Sequence, residues 1–355
     1  MFERNTDQKF NMTKTQRIPF LSHQCLRDLR QKCNQWLEGF GDALSEPGAD
    51  SSSLSAFETA CSNSNGKPFA FDDGNMRSLH FDRRTMQSAM WIEAPNELAF
   101  GYTRCMMGFL LSNTAPKHIL MVGLGGGSLV KYCHQYLPQT RITVVEIDAD
   151  VIALRDQFLI PPDDDRLQII HIDAVKYVHQ AVHEVDVILL DGFDADGLVD
   201  GLVTDDFYLA CNNLLSQEGI LVSNMWGDSS DLAALIGRKN AIFGNAVWWC
   251  RSIDSYNLIT FAFKSGRTHF KRPLIERAKQ LDQDYGLELE KLAGRLKTIS
   301  ETDFIDNAAT CRTDEGLLSL LSIEELTEKI RDHLVVDELL ARTRLEWLET
   351  QPENF

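Results

Sequence analysis

His118-Ile119-Leu120-Met121-Val122, followed without a break by Gly123-Leu124-Gly125-Gly126-Gly127-Ser128, decides the fold. The first five residues, mostly apolar, have the length and composition of a buried strand, and the glycines after them open a helix near 127–137. Glycine removes the Cβ that keeps a ligand off the backbone, and a helix amino terminus presents N–H groups to that ligand. The spacing is Gly-x-Gly-x-Gly. A dinucleotide fingerprint requires glycine at 128, where Ser128 stands, so that pattern is met only in part.

Outward from this unit the rhythm repeats. Buried-type strands are read at Ile142–Ile147, Leu167–Ile172, Val185–Leu190 and Ile220–Met225, alternating with helices near 149–159, 174–182 and 205–215. Such alternation marks a parallel sheet covered on both faces. After a helix near 230–243, Ala246–Arg251 and Leu258–Phe263 are joined by so short a turn that they pair antiparallel. The expected class is α/β: a Rossmann-like, doubly wound, mostly parallel sheet with an antiparallel last strand. In front of it, alternating runs from Pro68 to Ile92, broken at Asp72-Asp-Gly-Asn and Asp82-Arg-Arg, read as a small β-hairpin domain.

The expected organisation has four parts: a polar extension over 1–66, the hairpin domain over 67–112, the Rossmann-like nucleoside-binding catalytic domain over 113–265 and a helical region over 266–355. Within the extension, Leu26, Leu29, Cys33, Trp36 and Leu37 share one helical face, and Gly41 to Gly66, rich in Ser, Asn and Gly, reads as loop or linker. In the last part, Leu274, Ala278 and Leu281 share a face, Gly286 is a stop, and Ser322-Ile-Glu-Glu325 opens a further amphipathic helix. These helices cover the body or make a subunit contact, and they carry no catalytic signature.

Composition narrows the function. The chain has 355 residues, 44% hydrophobic and 25% charged, which is ordinary usage for a globular protein of about two domains. No apolar run approaches the ~18 residues that span a bilayer, and the amino terminus lacks a secretory core, so no membrane partner is expected. Eight cysteines without a Cys-x-x-Cys pair point to the reducing cytoplasm, with neither disulfide framework nor zinc knuckle. His171, His179 and His183 lack an evident third ligand, so no metal is expected. A net charge of −17 disfavours nucleic acid and anionic lipid. Sixteen acidic against three basic residues between Glu146 and Asp206 concentrate −13 of that charge, either as a solvated face or as a site for a cation.

Three consecutive strand ends carry the chemistry. After the glycine turn, Glu146 closes the next strand, where a carboxylate accepts both hydroxyls of a ribose. Asp173 closes the third and suits the exocyclic amine of adenine. Glycine turn, acid and acid in that order favour an adenosyl sulfonium over NAD. Asp191, directly off the fourth strand, faces the crevice mouth, whereas Asp196 and Asp200 are turn formers. Trp226, after the fifth strand, can wall an acceptor pocket by stacking on a cation. Of Trp248 and Trp249, alternation buries only one.

Gly123-Leu-Gly-Gly-Gly-Ser, Val145-Glu-Ile-Asp, Ile172-Asp-Ala, Asp191-x-x-Asp194-x-x-Gly197 and Leu202-Val-Thr-Asp-Asp-Phe-Tyr208 together resemble the spermidine synthase family of polyamine aminopropyltransferases, over roughly residues 68–265. The resemblance implies transfer of aminopropyl from decarboxylated S-adenosylmethionine to a polyamine or other small cationic amine, without a metal, in a homodimer. It implies that Glu146 binds ribose and Asp173 adenine, with Gln87, Gly123, Gly125, Gly127, Asp148 and Ala174 completing the nucleoside site. Asp191 would take the proton of the attacking amine or orient it, and Tyr102 and Asp194 would help hold the polyamine.

The departures fall on the parts that tell an aminopropyl donor from a methyl donor. Family members place an Asp within the glycine turn to grip the aminopropyl ammonium, and Gly126 stands there; Ala195 replaces a proline after Asp194. Around Tyr102 the acid-rich stretch is thinner and carries Arg104, and Asn224-Met-Trp226 stands where synthases have Gln and an acid. S-adenosylmethionine itself as donor, in a methyltransferase on the same scaffold, is therefore the alternative. A noncatalytic nucleoside-binding relative is the third reading.

Overall fold

The computed structural model describes residues 51–82, 86–194, 197–225, 229–252, 255, 257–266 and 274–299. The chain divides into two units, 1–55 and 56–355, and the second holds every strand among the described residues.

Helix α1 (Ser51–Asn63) occupies the stretch read as linker. Phe57 is the reason. Its ring packs on Phe69, Phe71 and His80 at centroid distances of 5.9, 5.1 and 4.8 Å, contacts distant in sequence that outweigh the polar local composition. The amphipathic stretch from Leu26 to Leu37 and the helix opened at Ser322 lie outside the described residues. Strands β1 (Phe69–Asp72), β2 (Met76–His80) and β3 (Met86–Trp91) then form a three-stranded antiparallel sheet, as the alternation predicts.

The body follows as helix α2 (Gly101–Met106), β4 (His118–Val122), α3 (Ser128–Tyr136), β5 (Arg141–Glu146), α4 (Ala149–Ala153), β6 (Leu167–His171), α5 (Ala174–Gln180) and β7 (Val185–Leu190). A short hairpin, β8 (Phe193–Asp194) with β9 (Gly197–Leu198), leads to α6 (Asp205–Leu214), β10 (Leu215–Met225), α7 (Ser229–Ile242), β11 (Val247–Arg251) and β12 (Leu258–Phe263). Helices α8 (Leu274–Tyr285) and α9 (Leu289–Arg295) and the edge strand β13 (Lys297–Thr298) complete it.

The large sheet runs β6-β5-β4-β7-β10-β12-β11-β13, parallel from β6 to β10 and antiparallel beyond. The antiparallel closing pair stands where the short turn requires it. β4 lies at the centre, with the chain winding outward through β5 and β6 and then returning to β7 on its other side. Connections leave β4 and β7 in opposite directions, which opens a crevice at their carboxyl ends.

Two elements differ from the periodicity. The helix read over 149–159 ends at Ala153. Phe158 and Ile160, 0% and 4% exposed, both turn inward, which residues two apart on a helix cannot do, so the segment leaves helical geometry and Leu159 takes φ +53°. The strand read from Ile220 begins at Leu215, with an irregularity before Ile220.

Helices α8 and α9 are not a separate layer. Ala278, Leu281, Leu289 and Leu292 belong to the same apolar cluster as Phe109, Val130 and Phe261. Gly286, at φ +63°, donates its N–H to the Asp282 carbonyl and stops α8. Trp249 is buried and Trp248 half-buried, so alternation separates the two tryptophans as expected.

Candidate active site

The glycine turn and Asp191 meet at the crevice. Gly123 has φ +94°, and a Cβ there would stand 2.3 Å from the Asp191 carbonyl oxygen, so only glycine fits. Gly127, at φ +67°, is equally constrained: a Cβ would meet Ile160 at 2.4 Å. The turn is tied to β5 by Glu146, 9% exposed. One carboxylate oxygen accepts the Leu124 N–H and the other the Asp148 N–H, each at 2.8 Å. A carboxylate carries about four lone-pair sites, so these bonds orient Glu146 and leave it capacity for a diol.

Asp148 and Asp173 both cap helices. Asp148 accepts from the Asp150 N–H at 2.8 Å at the start of α4, and Asp173 from the Val175 N–H at 2.9 Å at the start of α5, where Ala174 is buried. Both acids stand at the carboxyl end of the sheet, beside Glu146. Gln87 lies half-buried in β3, the strand that runs along the glycine turn. It is Ser88, unmarked in the sequence, that approaches the turn. A Cβ on Gly125 would lie 3.7 Å from the Ser88 Cβ, and the Ser128 hydroxyl donates to the Ala89 carbonyl at 3.3 Å.

Gly126 has a packing reason of its own. A side chain at that position would meet the Ser88 hydroxyl at 2.8 Å and the Phe158 ring at 3.0 Å. Phe158 is held there by Lys131, buried in α3, whose ammonium donates to the Phe158 carbonyl at 2.8 Å. Burial draws the Lys131 pKa down to about 8. No local pattern in the sequence separates Lys131 from a surface lysine.

Asp191 is the acid on which the site converges. Its Oδ1 accepts from the Asn224 amide at 2.8 Å and its Oδ2 from the Tyr102 hydroxyl at 3.3 Å. Tyr102 stacks on Phe100 at 5.8 Å, which sets the phenol's approach from α2. Burial pushes the Asp191 carboxyl above its ordinary value, and the bonds from Asn224 and Tyr102 oppose that rise. A carboxylate so poised can take up a proton from a neighbouring amine. The backbone of Asp194 is in β8, three residues on. Trp226, expected to wall the acceptor pocket, lies outside the described residues.

Much of the acidic run between Glu146 and Asp206 sits elsewhere. Asp150 pairs with Lys67, Asp163 with Arg155, and Asp186 accepts from the Lys117 and His118 N–H groups. Asp164 accepts from His134, Arg166 and Leu167, bonds that pull its carboxyl down to about 2. A cavity of about 460 Å³ beside these acids, lined by His118, Arg141, Tyr177 and His183, opens at the amino ends of the strands, away from Asp191. Leu202 to Tyr208 is structural: the Thr204 hydroxyl caps α6 and the rings of Phe207 and Tyr208 are fully buried. Among the described residues no group of three His, Cys, Asp or Glu is placed to hold a metal, and no helix is long and apolar enough to cross a membrane.

A doubly wound sheet with a glycine turn, a buried acid at the end of the neighbouring strand and a desolvated carboxylate at one crevice has the make-up of a nucleoside-dependent transferase. Known proteins narrow that class. The spermine/spermidine synthase domain matches residues 99–232. The polyamine aminopropyltransferase of Neisseria meningitidis serogroup A is 38% identical over 229 residues, 64% of this chain and 87% of that protein. That of Chromobacterium violaceum is 37% identical over 232 residues, 65% and 89% of the two chains. The crystal structure of a probable spermidine synthase from Corynebacterium glutamicum shares the fold, with a TM-score of 0.55 at 19% identity over 68% of this chain and 90% of that one. The chain belongs to the spermine/spermidine synthase family of polyamine aminopropyltransferases.

Proposed function

We propose that this protein transfers the aminopropyl group of decarboxylated S-adenosylmethionine to a small cationic amine, with Asp191 as the proton acceptor. The observation that carries the reading is Asp191 itself: at the crevice, with burial pushing its carboxyl up and two donors aligned on it. A polyamine is a nucleophile only through an unprotonated nitrogen. That nitrogen attacks the methylene next to the sulfonium, the new C–N bond forms as the C–S bond breaks, and the sulfonium becomes the neutral thioether of methylthioadenosine. The ammonium so formed gives its proton to Asp191. Since the sulfonium is already an activated electrophile, orientation and one base suffice.

Glu146 would hold the ribose and Asp173 the adenine, with Gln87, Asp148, Ala174 and the glycine turn around the nucleoside; Tyr102, Asp194 and Trp226 would face the amine. The reading carries with it a cytoplasmic homodimer. Similarity to named aminopropyltransferases favours this reaction over methyl transfer.

Incubation with the decarboxylated donor and a polyamine panel is expected to release methylthioadenosine, and incubation with intact S-adenosylmethionine to release no adenosylhomocysteine. The reverse product pattern would overturn the reading. Calorimetric titration is expected to favour the decarboxylated donor at least tenfold, about 1.4 kcal/mol.

A further inference from the structure

The hydrogen bonds around Asp191 continue into the sheet. Asn224 is 3% exposed, and its two amide atoms are divided between two partners. Nδ2 donates to Asp191 at 2.8 Å, while Oδ1 accepts from Asn257 Nδ2 at 2.9 Å. Asn257 Oδ1 in turn accepts from the Ser255 hydroxyl at 2.6 Å. Every bond in the series donates toward Asp191. The antiparallel register that pairs Met225 with Leu258 brings Asn224 and Asn257 together, and the Asn257 carbonyl accepts the Ser252 N–H at 2.9 Å, which fixes the backbone between β11 and β12.

A side-chain amide has nearly the same shape in its two flipped orientations, so its partners choose between them. Rotated by half a turn, Asn224 would set its carbonyl oxygen against the Asp191 carboxylate, two acceptors face to face. The N–H that Asn257 offers to Asn224 Oδ1 selects against that rotation. We propose that Asn257 is a positioning residue for the transfer: it holds Asn224 in the orientation that donates to Asp191, so that the carboxylate is ready to receive the amine's proton. This rests on the reading of Asp191 as proton acceptor. Among the described residues the titratable group that faces that carboxylate is Tyr102, from α2, and the neutral glycine turn meets the Asp191 backbone carbonyl.

Asn257→Asp tests it. A carboxylate at 257 cannot donate to Asn224 Oδ1 and demands an N–H, so Asn224 turns and presents its oxygen to Asp191. The expected result is an acidic limb of the kcat profile displaced upward by about one pH unit, hence a rate about tenfold lower at any fixed pH on that limb. KM for the donor and Kd for methylthioadenosine stay within twofold. The double variant with Asn224→Ala separates a relay from the direct effect of a new charge. If the relay operates, most of the displacement disappears once Asn224 is gone; displacement that persists undiminished overturns the proposal.

An unmoved limb in Asn257→Asp, with turnover abolished in Asp191→Asn, overturns the relay and leaves the proton acceptor standing. Full turnover in Asp191→Asn overturns both. If Asn257→Asp does not fold, Asn257→Leu removes the donor without a charge. A smaller displacement in the same direction is then expected, and a lowered melting temperature with an unmoved limb counts against the proposal.

Discussion

Asp191 serves the site through two groups with separate duties. Its carboxylate receives donors from Asn224 and Tyr102, and its backbone carbonyl closes against Gly123. Asp191→Asn keeps the shape and removes the proposed proton acceptor. Methylthioadenosine release is expected to fall by at least a hundredfold while the melting temperature stays within a few degrees, and turnover near the parent rate would remove Asp191 from the mechanism. Gly123→Ala probes the backbone contact. An alanine forced to φ +94° with its Cβ 2.3 Å from a backbone oxygen has no flexible neighbour to displace. Its expected cost is more than ~3 kcal/mol, read as a lower denaturant midpoint and lost nucleoside binding.

At the scale of elements, the carboxyl-terminal helices are the instructive case. Periodicity in Leu274, Ala278 and Leu281 shows a helix with one apolar face, but periodicity does not say what that face meets. In the fold it meets the segment after α2, and α9 closes on the same segment: a Cβ on Gly108 would stand 2.5 Å from Leu292 and 2.9 Å from Phe261. Arg104, out of place beside Tyr102 by sequence, pairs with Glu288 at 3.2 Å and donates to the carbonyls of Leu98 and Ala99, joining α2 to the turn before α9. Leu292→Ala is accordingly expected to destabilise the protein by about 2–4 kcal/mol, measured by denaturant unfolding. A change below ~1 kcal/mol would mean that α9 is dispensable to the core.

At the scale of the whole molecule, the burial of Lys239 on α7 couples stability to pH. Lys239 is 0% exposed, donates to the Thr260 hydroxyl at 2.9 Å and lies 4.9 Å from the Tyr208 ring centroid. Burial draws its pKa from 10.5 down to about 7. Between those values the unfolded chain binds a proton that the folded chain does not, so Lys239 makes stability rise with pH across that window. Lys239→Met is expected to raise stability near pH 7 by a few kcal/mol, an advantage that shrinks as the pH approaches 10. Melting curves at pH 7 and pH 9.5 check it; an equal gain at both would assign the effect to packing.

The strands, their mostly parallel pairing and the glycine turn were legible in the sequence, because each rests on local rules. A buried strand needs a run of apolar residues, a crossover needs a helix of sufficient length, and a left-handed turn needs glycine where the chain bends. The acids at the strand ends followed for the same reason, since a parallel sheet places consecutive carboxyl ends along one edge. What only the tertiary structure decided are the contacts between residues far apart in the chain. Phe57 turned a polar linker into a helix by packing on β1. Ser88 and Phe158 occupy the space a side chain at 126 would need, and Asn257 reaches Asn224 because two strands pair in one register. None of these has a local signature: a serine, a phenylalanine or an asparagine reads the same in any strand or loop, and its role depends on which distant atom the fold brings within three ångströms.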